Sequence, residues 1–156
     1  MKTVREILKK KGADVYSISP ESPVFEALSL MSDKNIGALL VMQDGKIEGI
    51  LSERDYAREV ILKGKTSKDL PVKEIMSDKV LYVSKENTPE ECMALMTGKR
   101  IRHLPVLEND QLAGIISIGD IIKAVIDERE FTIDQLVQYI TDRPNILETS
   151  RKENFV

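Results

Sequence analysis

The sequence is poor in cysteine, histidine and aromatic residues. It has one cysteine, one histidine, no tryptophan and 4% aromatic residues in 156 positions. A single cysteine excludes an internal disulfide framework, and without a cysteine and histidine cluster we expect no structural zinc. Cys92 falls on the apolar stripe of a predicted helix, and no second histidine is available for an acid–base pair. We therefore expect no catalytic activity.

Long apolar runs and a strong net charge are also absent. The longest runs, such as residues 36–42, are too short to span a bilayer, and residues 1–12 lack the apolar centre of a signal peptide. We therefore expect a cytoplasmic location. A formal net charge of −3 creates no general attraction for a phosphate backbone, so binding to nucleic acid would need a local basic patch.

The chain contains an internal repeat. A shift of 65 residues places residues 15–19 on 80–84, 27–31 on 92–96 and 49–52 on 114–117. The same shift places Asp55 on Asp120, whereas residues 4–8 match residues 72–76 at a shift of 68. The two copies therefore share one pattern and differ by three residues near their beginnings.

Each copy is predicted to form a strand, a helix, two strands and a helix. The first copy has an alternating strand over residues 15–19, then Ser22 as the predicted cap of a helix that begins at Pro23. In the second copy, Thr88 and Glu91 flank Pro89 in the capping-box pattern of a helix start.

Two hairpins are predicted from pairs of apolar runs joined by turn residues. Asp44-Gly45 separates the runs of the first copy, and Asn109-Asp110 separates those of the second. An Asp-Gly pair supplies the positive φ angles that a tight hairpin turn needs.

One copy alone would leave an apolar face uncovered, whereas two copies about a pseudo-twofold axis would cover each other. We therefore predict an α+β fold in which two β-α-β-β-α repeats form one intertwined module, followed by a C-terminal helix. The first repeat, with a helical lead-in, takes residues 1–67 and the second takes residues 68–128. The amphipathic C-terminal helix takes residues 129–144 and stops at Pro144, and residues 145–156 form a tail.

The doubled pattern resembles the CBS-domain pair, or Bateman module, over about residues 1–127. Gly-Ile-Leu-Ser-Glu-Arg-Asp at 49–55 and Gly-Ile-Ile-Ser-Ile-Gly-Asp at 114–120 each close a hairpin and open a helix. Residues 100–106 are similar to the basic segment and Leu-Pro-Val strand of that family.

The resemblance implies a regulatory function. Such pairs usually bind adenine nucleotides, dinucleotides or S-adenosylmethionine in clefts between the repeats, and they commonly dimerise into a disc of four repeats. We therefore expect AMP, ADP, ATP or an NAD-type ligand, a homodimer, and an effector protein that acts in trans.

Ser52 with Asp55, and Ser117 with Asp120, lie where a strand meets a helix. Free N–H groups and the helix dipole favour an anion there, and a carboxylate suits the two vicinal hydroxyls of a ribose. The resemblance implies that the aspartates hold the ribose and that the serines lie near the phosphate. The alternative interpretation is that each Ser-x-x-Asp is only a helix cap.

Basic residues make the two copies unequal. The second-copy strand follows a basic cluster that the first copy lacks, namely Lys99, Arg100, Arg102 and His103. The resemblance implies that Arg102 and His103 reach phosphates, sometimes those of the ligand bound by the other repeat, so we expect two different clefts. Arg102 could bind phosphate in a bidentate manner or be a solvated charge. His103 could touch phosphate or pack as a neutral ring.

Other residues complete the predicted site. Arg54 and Arg58 could substitute in the first copy or be surface helix charges. The resemblance points to residues 13–15 and 79–80 as the adenine slot, walled by Ile50 or Ile115, although these side chains could equally belong to the core. The predicted nucleotide-binding residues are Val15, Ile50, Ser52, Arg54, Asp55, Val80, Lys99, Arg100, Arg102, His103, Pro105, Ile115, Ser117 and Asp120.

Two further functions stay open beside nucleotide sensing. The chain could be a structural dimerisation module with empty clefts, or it could bind nucleic acid through Lys99, Arg100 and Arg102. No aromatic residue is interleaved with that basic cluster, which weakens stacking on bases. Asp55 and Asp120 occupy equivalent positions in different repeats, so they are not interpreted as a catalytic pair.

Overall fold

The computed structural model describes residues 2–141 and shows two three-stranded sheets with the same topology. The first sheet contains β1 (Ser17–Ile18), β2 (Ala38–Gln43) and β3 (Lys46–Ser52), and the second contains β4 (Val83–Ser84), β5 (His103–Glu108) and β6 (Gln111–Ser117). In each sheet the first strand runs parallel to the second, and the second and third form an antiparallel hairpin. The predicted α+β fold with two equivalent repeats is confirmed. The predicted tail and Pro144 lie outside the described residues.

Both predicted hairpin turns are present. Asp44 and Gly45 have φ angles of 52° and 76°, and Asn109 and Asp110 have φ angles of 52° and 61°. Two consecutive positive φ angles match the right-handed twist of the flanking strands. Each hairpin also has a register shift at an equivalent place, after Val41 and after Val106.

The first strand of each copy is shorter than predicted. Only Ser17 and Ile18 pair with β2, and only Val83 and Ser84 pair with β5. In the second copy the preceding segment bonds elsewhere, because the backbone of Ser77 exchanges two hydrogen bonds of 2.9 Å with Ile50 of the first copy. In the second copy the chain therefore pairs with the first repeat at Ser77 before it joins its own sheet at Val83.

Five α-helices lie in the described part of the chain: α1 (Val4–Lys11), α2 (Val24–Lys34), α3 (Glu53–Tyr56), α4 (Pro89–Lys99) and α5 (Ile118–Thr141). Helix α3 continues as a single π-helical turn over Ala57–Ile61. A short 3₁₀ helix covers Val72–Glu74.

The predicted start of α2 is wrong by one residue. Pro23 is the N-cap, with extended φ and ψ angles of −64° and 146°, and no side chain caps the helix. The first free N–H groups are satisfied by backbone instead, since Val24 N donates to Leu70 O at 2.8 Å and Phe25 N to Ser67 O at 2.9 Å. A serine hydroxyl is not needed there because the chain between the repeats supplies the acceptors.

The predicted capping box of α4 is present. Glu91 N donates to Thr88 Oγ1 at 3.2 Å, and Thr88 N donates to Glu91 Oε2 at 3.0 Å. Pro89 occupies the first helical position, where the missing N–H has no cost.

Helix α5 joins two predicted helices into one. It runs without interruption from Ile118 to Thr141, so the closing helix of the second repeat continues into the amphipathic C-terminal stretch. Ile133, Leu136 and Val137 in that stretch are exposed. No helix within residues 2–141 is both long enough and apolar enough to cross a membrane.

The segments that precede the two repeats, α1 and residues 72–75, cross between the repeats. We call them the lead-ins. Val4, Ile7 and Leu8 of α1 pack into the core of the second repeat, whereas Val72 and Ile75 pack into the core of the first. Equivalent backbone bonds hold them, from Val4 N to Asn87 O at 2.9 Å and from Val72 N to Ser22 O at 2.8 Å. Each core is therefore completed by a segment that precedes the other repeat, which makes the module intertwined.

Two glycines permit this crossing. A Cβ atom at Gly49 would lie 2.7 Å from the backbone oxygen of Ser77 and 2.7 Å from Met76 Sδ. At the equivalent Gly114, a Cβ atom would lie 2.8 Å from Leu8 Cδ2. Both strands therefore lack a side chain where a lead-in presses against them.

Candidate ligand-binding cleft

A cavity of about 290 Å³ opens between the two repeats. We call it the first cleft. Its lining comes from the β3–α3 junction, from the segment that includes Ser77 and residues 79–81, and from residues 100–103 with Pro105. Small-molecule sites have volumes of about 300 to 1,000 Å³, so the first cleft is at the lower end of that range.

Ser52 and Asp55 form a capping box at the edge of the first cleft. Asp55 Oδ2 accepts hydrogen bonds from Ser52 N at 2.8 Å and Ser52 Oγ at 3.0 Å, and Asp55 N donates to Ser52 Oγ at 3.2 Å. The capping arrangement that the sequence left open is therefore present. Within residues 2–141, the carboxylate bonds all involve Oδ2, so Oδ1 is available to a ligand.

Five cationic side chains line the first cleft. They face two carboxylates, Glu53 and Asp55, and none of the five has an ion-pair partner within residues 2–141. These cations are Arg54, Arg58, Lys79, Arg100 and Arg102. Like charges in a cavity repel one another, and an anionic ligand would relieve that repulsion.

Arg100 adopts a backbone conformation that is unfavourable for arginine. It ends α4 with φ 55° and ψ 42°, in the left-handed region. The equivalent residue at the end of α2 is Asn35, with φ 53° and ψ 50°. Asparagine tolerates this region better than a long side chain does, so arginine at this position carries a local cost.

His103 lies between the two repeats. It lines the first cleft and is half-buried, and it pairs across the sheet with Ser117. Burial lowers the pKa of His103, and so do the charges of Lys11 and Arg102, while Asp120 opposes the shift. A neutral ring is therefore favoured, as expected if His103 packs between the repeats. The same ring also borders the first cleft.

The second Ser-x-x-Asp has a different environment. Asp120 Oδ2 accepts from Ser117 N at 2.8 Å, and Asp120 N donates to Ser117 Oγ at 3.2 Å. In addition, Lys11 Nζ lies 2.6 Å from Asp120 Oδ2 and 2.7 Å from Ile115 O. Burial raises the pKa of Asp120, but the bonds from Lys11 and Ser117 outweigh it, so the pKa is lowered overall.

The cavity that reaches Asp120 is smaller. Its volume is about 160 Å³, it lies between α1 and α5, and its lining includes Lys11 but not Ser117, Ile115 or Val15. We call the region around Ser117, Asp120 and Ile115 the second cleft. The two clefts therefore differ in the residues that contact their aspartates.

The structure brings most of the predicted site residues into the first cleft and leaves five outside it. Those in its lining are Ile50, Ser52, Arg54, Asp55, Val80, Arg100, Arg102, His103 and Pro105. Those outside it are Val15, Lys99, Ile115, Ser117 and Asp120. Arg102 and His103 of the second repeat thus lie beside Ser52 and Asp55 of the first.

Sequence analysis missed Lys11 altogether. Its only signal was the three-residue difference between the copies, since Lys11 belongs to the part of α1 that extends beyond the match with residues 72–76. The sequence also did not assign Lys79 a charge role, because it was placed with the adenine slot.

Cys92 is unsuited to nucleophilic chemistry. It is fully buried in the second core, and burial, followed by the charge of Glu91, raises the pKa of its thiol to about 11. Nucleophilic cysteines need an accessible thiolate, which these surroundings disfavour. Within residues 2–141, no three His, Cys, Asp or Glu side chains are grouped so as to hold a metal ion.

Comparison with known proteins identifies the fold family. The CBS domain family matches residues 4–62 and again residues 72–127. The mitochondrial CBS domain-containing protein CBSX3 of Arabidopsis thaliana is 35% identical over 147 residues, which cover 88% of this chain and 71% of that protein.

Solved structures agree with this result. A putative signal-transduction protein with CBS domains from Burkholderia ambifaria is 49% identical, with a TM-score of 0.79 over 81% of this chain and 95% of that one. A CBS domain pair in complex with 5′-methylthioadenosine and S-adenosyl-L-methionine shares the fold, with a TM-score of 0.68 at 20% identity over 82% of this chain and 98% of that one. This chain therefore belongs to the CBS-domain family and is a regulatory module built from a pair of CBS repeats.

Proposed function

We propose that this chain is a regulatory module that binds an adenine nucleotide in the first cleft. The single observation that carries the proposal is the group of five cations that line the first cleft together with Ser52 and Asp55 and have no ion-pair partner within residues 2–141. Asp55 Oδ1 would accept hydrogen bonds from the ribose hydroxyls, while the cations would bind phosphate oxygens. The related pair solved with adenosine-containing ligands supports this class of ligand.

The charge of the first cleft favours a ligand with several phosphates. Five cations against two carboxylates suit the charge of ATP better than that of AMP, and adenosine would leave the cations unpaired. S-adenosylmethionine carries a positive sulfonium, so the same cations disfavour it. We therefore expect affinity to fall in the order ATP, ADP, AMP, adenosine.

The other functions have weaker support. Arg100 and Arg102 line a cavity that Lys99 does not reach, and no aromatic residue is interleaved with these three cations, so a nucleic-acid interface is disfavoured. A purely structural module would not explain five cations that line one cavity without an ion-pair partner in the described part of the chain. We keep the expectation that the chain has no catalytic activity and acts through an effector protein.

We also propose that the module functions as a homodimer. Several large apolar side chains on the outer helices and the turns that follow them are exposed, namely Phe25, Ile61, Leu62, Ile122 and Ile126. Pairing of these helices with those of a second copy would cover them. A nucleotide between the repeats could then alter the dimer and so reach the effector.

The proposed function predicts that Asp55→Asn weakens ATP binding without unfolding the protein. Asparagine keeps an oxygen for the helix cap but loses the charge that would hold the ribose. Thermal shift and isothermal titration with ATP should show at least a tenfold loss of affinity, since a charged hydrogen bond contributes about 1.5–3 kcal/mol.

Glu91→Gln is the matched control. Glu91 holds the same capping-box position in α4 but lies outside the first cleft. It should lose a similar amount of stability and retain the full ATP response. If Asp55→Asn also retained that response, Asp55 would be a cap only, and if the unaltered protein bound none of the four ligands the proposed function would be wrong.

A further inference from the structure

The second cleft already contains a charged group of the protein itself. Lys11 Nζ bonds to the Asp120 carboxylate at 2.6 Å and to the Ile115 carbonyl at 2.7 Å. These two acceptors are the equivalents of Asp55 and Ile50, which border the first cleft. An ammonium group has three donors, so two of them are committed here.

A ribose would have to displace a stronger donor to bind at Asp120. The bond between an ammonium and a carboxylate is charge-assisted, and such bonds are roughly twice as strong as neutral ones. The pair is also partly shielded from water, with side-chain exposures of 32% for Lys11 and 23% for Asp120. A neutral hydroxyl cannot replace this interaction on equal terms.

Lys11 is held in position by the helix that carries it. Val4 and Leu8 of α1 are buried in the second core, and Lys10 forms a second bridge from α1 to α5, with 3.0 Å between its Nζ and Asp127 Oδ2. The side chain therefore cannot leave the second cleft by a movement of α1 without exposing apolar surface.

The first cleft has no such occupant. The lead-in of the second repeat is a 3₁₀ helix that ends at Glu74, and within residues 2–141 the bonds accepted by Asp55 come from Ser52. Lys79 lines the cavity but forms no ion pair with Asp55. The first lead-in is an α-helix that ends at Lys11, whereas the second is a single short 3₁₀ helix.

We propose that Lys11 determines the stoichiometry of the module: it fills the second cleft, so that each chain binds one nucleotide, in the first cleft. This inference rests on the proposed function. Lys11 is therefore a specificity-determining residue, and its removal should open a second nucleotide site at Asp120.

Isothermal titration with ATP tests the proposal on four proteins. The unaltered protein should bind one ATP per chain. Lys11→Ala should bind a second ATP more weakly, because the five cations of the first cleft do not line the cavity at Asp120. Asp55→Asn should bind ATP in the first cleft at least tenfold more weakly. The double variant Lys11→Ala with Asp55→Asn should show that weakened site together with a new site in the second cleft. Lys10→Ala is the control, since it removes the neighbouring bridge to Asp127 and should leave the stoichiometry at one.

Every outcome distinguishes the two proposals. Two ATP per unaltered chain, or one per Lys11→Ala chain, would overturn the role of Lys11 and leave the proposed function standing. Binding by Lys11→Ala but not by the unaltered protein would support the role of Lys11 and refute nucleotide binding in the first cleft. Absence of binding to both proteins would overturn both proposals.

Discussion

Arg100 shows how a single residue can favour function over stability. The end of each repeat's first helix needs a left-handed residue, and the first repeat has Asn35 there. The second repeat has Arg100, whose side chain lines the first cleft. The local cost of a long side chain in this region is of order 1 kcal/mol, and the proposed phosphate contact would offset it.

We predict that Arg100→Asn stabilises the protein and weakens ATP binding. Relief of the left-handed arginine should raise the free energy of unfolding by roughly 0.5–1 kcal/mol. Urea denaturation measures the first effect and isothermal titration the second. Arg129→Gln, which removes the same charge from an exposed position of α5, should change neither.

His103 predicts a pH dependence of stability. Its folded pKa lies below the ordinary 6.5 because of burial and the charges of Lys11 and Arg102, with Asp120 opposing. Below pH 6.5 the unfolded chain therefore binds a proton that the folded chain does not, and stability falls as the pH drops towards the folded pKa. Well above pH 6.5 neither the folded nor the unfolded chain binds this proton, so His103 no longer changes the stability. Asp120 titrates well below this pH range, because its pKa is lowered from the usual value.

Urea denaturation at pH 7.5 and pH 5.5 measures this effect. The loss of stability between the two values should be smaller for His103→Gln than for the unaltered protein. Equal losses would show that the histidine is solvated in solution and does not contribute.

At the scale of elements, the sequence predicted the hairpins and the capping box of α4 because their signals are local. Asp44-Gly45 needs only its own φ angles, and Thr88 with Glu91 needs only one helical turn. The short first strands and the cap of α2 were missed because their partners are distant. Val24 finds its acceptor at Leu70, and no local pattern reveals that bond.

The crossed lead-ins predict unequal effects of alanine at the two equivalent glycines. A Cβ atom at Gly49 would meet the backbone oxygen of Ser77, which is fixed by two hydrogen bonds to Ile50. A Cβ atom at Gly114 would meet only the end of the Leu8 side chain, which can rotate. Gly49→Ala should cost about 1–3 kcal/mol and Gly114→Ala distinctly less.

Chemical denaturation of the two variants checks this prediction, and each serves as the other's control. Equal losses would contradict the assignment of the Gly49 contact to rigid backbone. A change in m-value for either variant would indicate an altered unfolded or native ensemble instead.

For the whole molecule, the internal repeat was sufficient to predict the family and the doubled fold, since the symmetry of the sequence is the symmetry of the structure. The family resemblance added the expectation that Arg102 reaches the ligand of the other repeat, and Arg102 does lie in the same cavity lining as Ser52 and Asp55. The inequality of the two clefts was predicted from the basic cluster, but its other cause was not. Lys11 reaches Asp120 through a helix that packs on the opposite repeat, and that route depends on tertiary structure alone.

The crossing of the lead-ins determines what cleavage of the backbone between the repeats would do. The part of the chain before Gly64 contains α1, which completes the second core. The part after Gly64 contains residues 72–75, which complete the first core. If the backbone were severed in that linker, neither fragment could complete its own interior. The two pieces would be obligate complements, each folding only in the presence of the other.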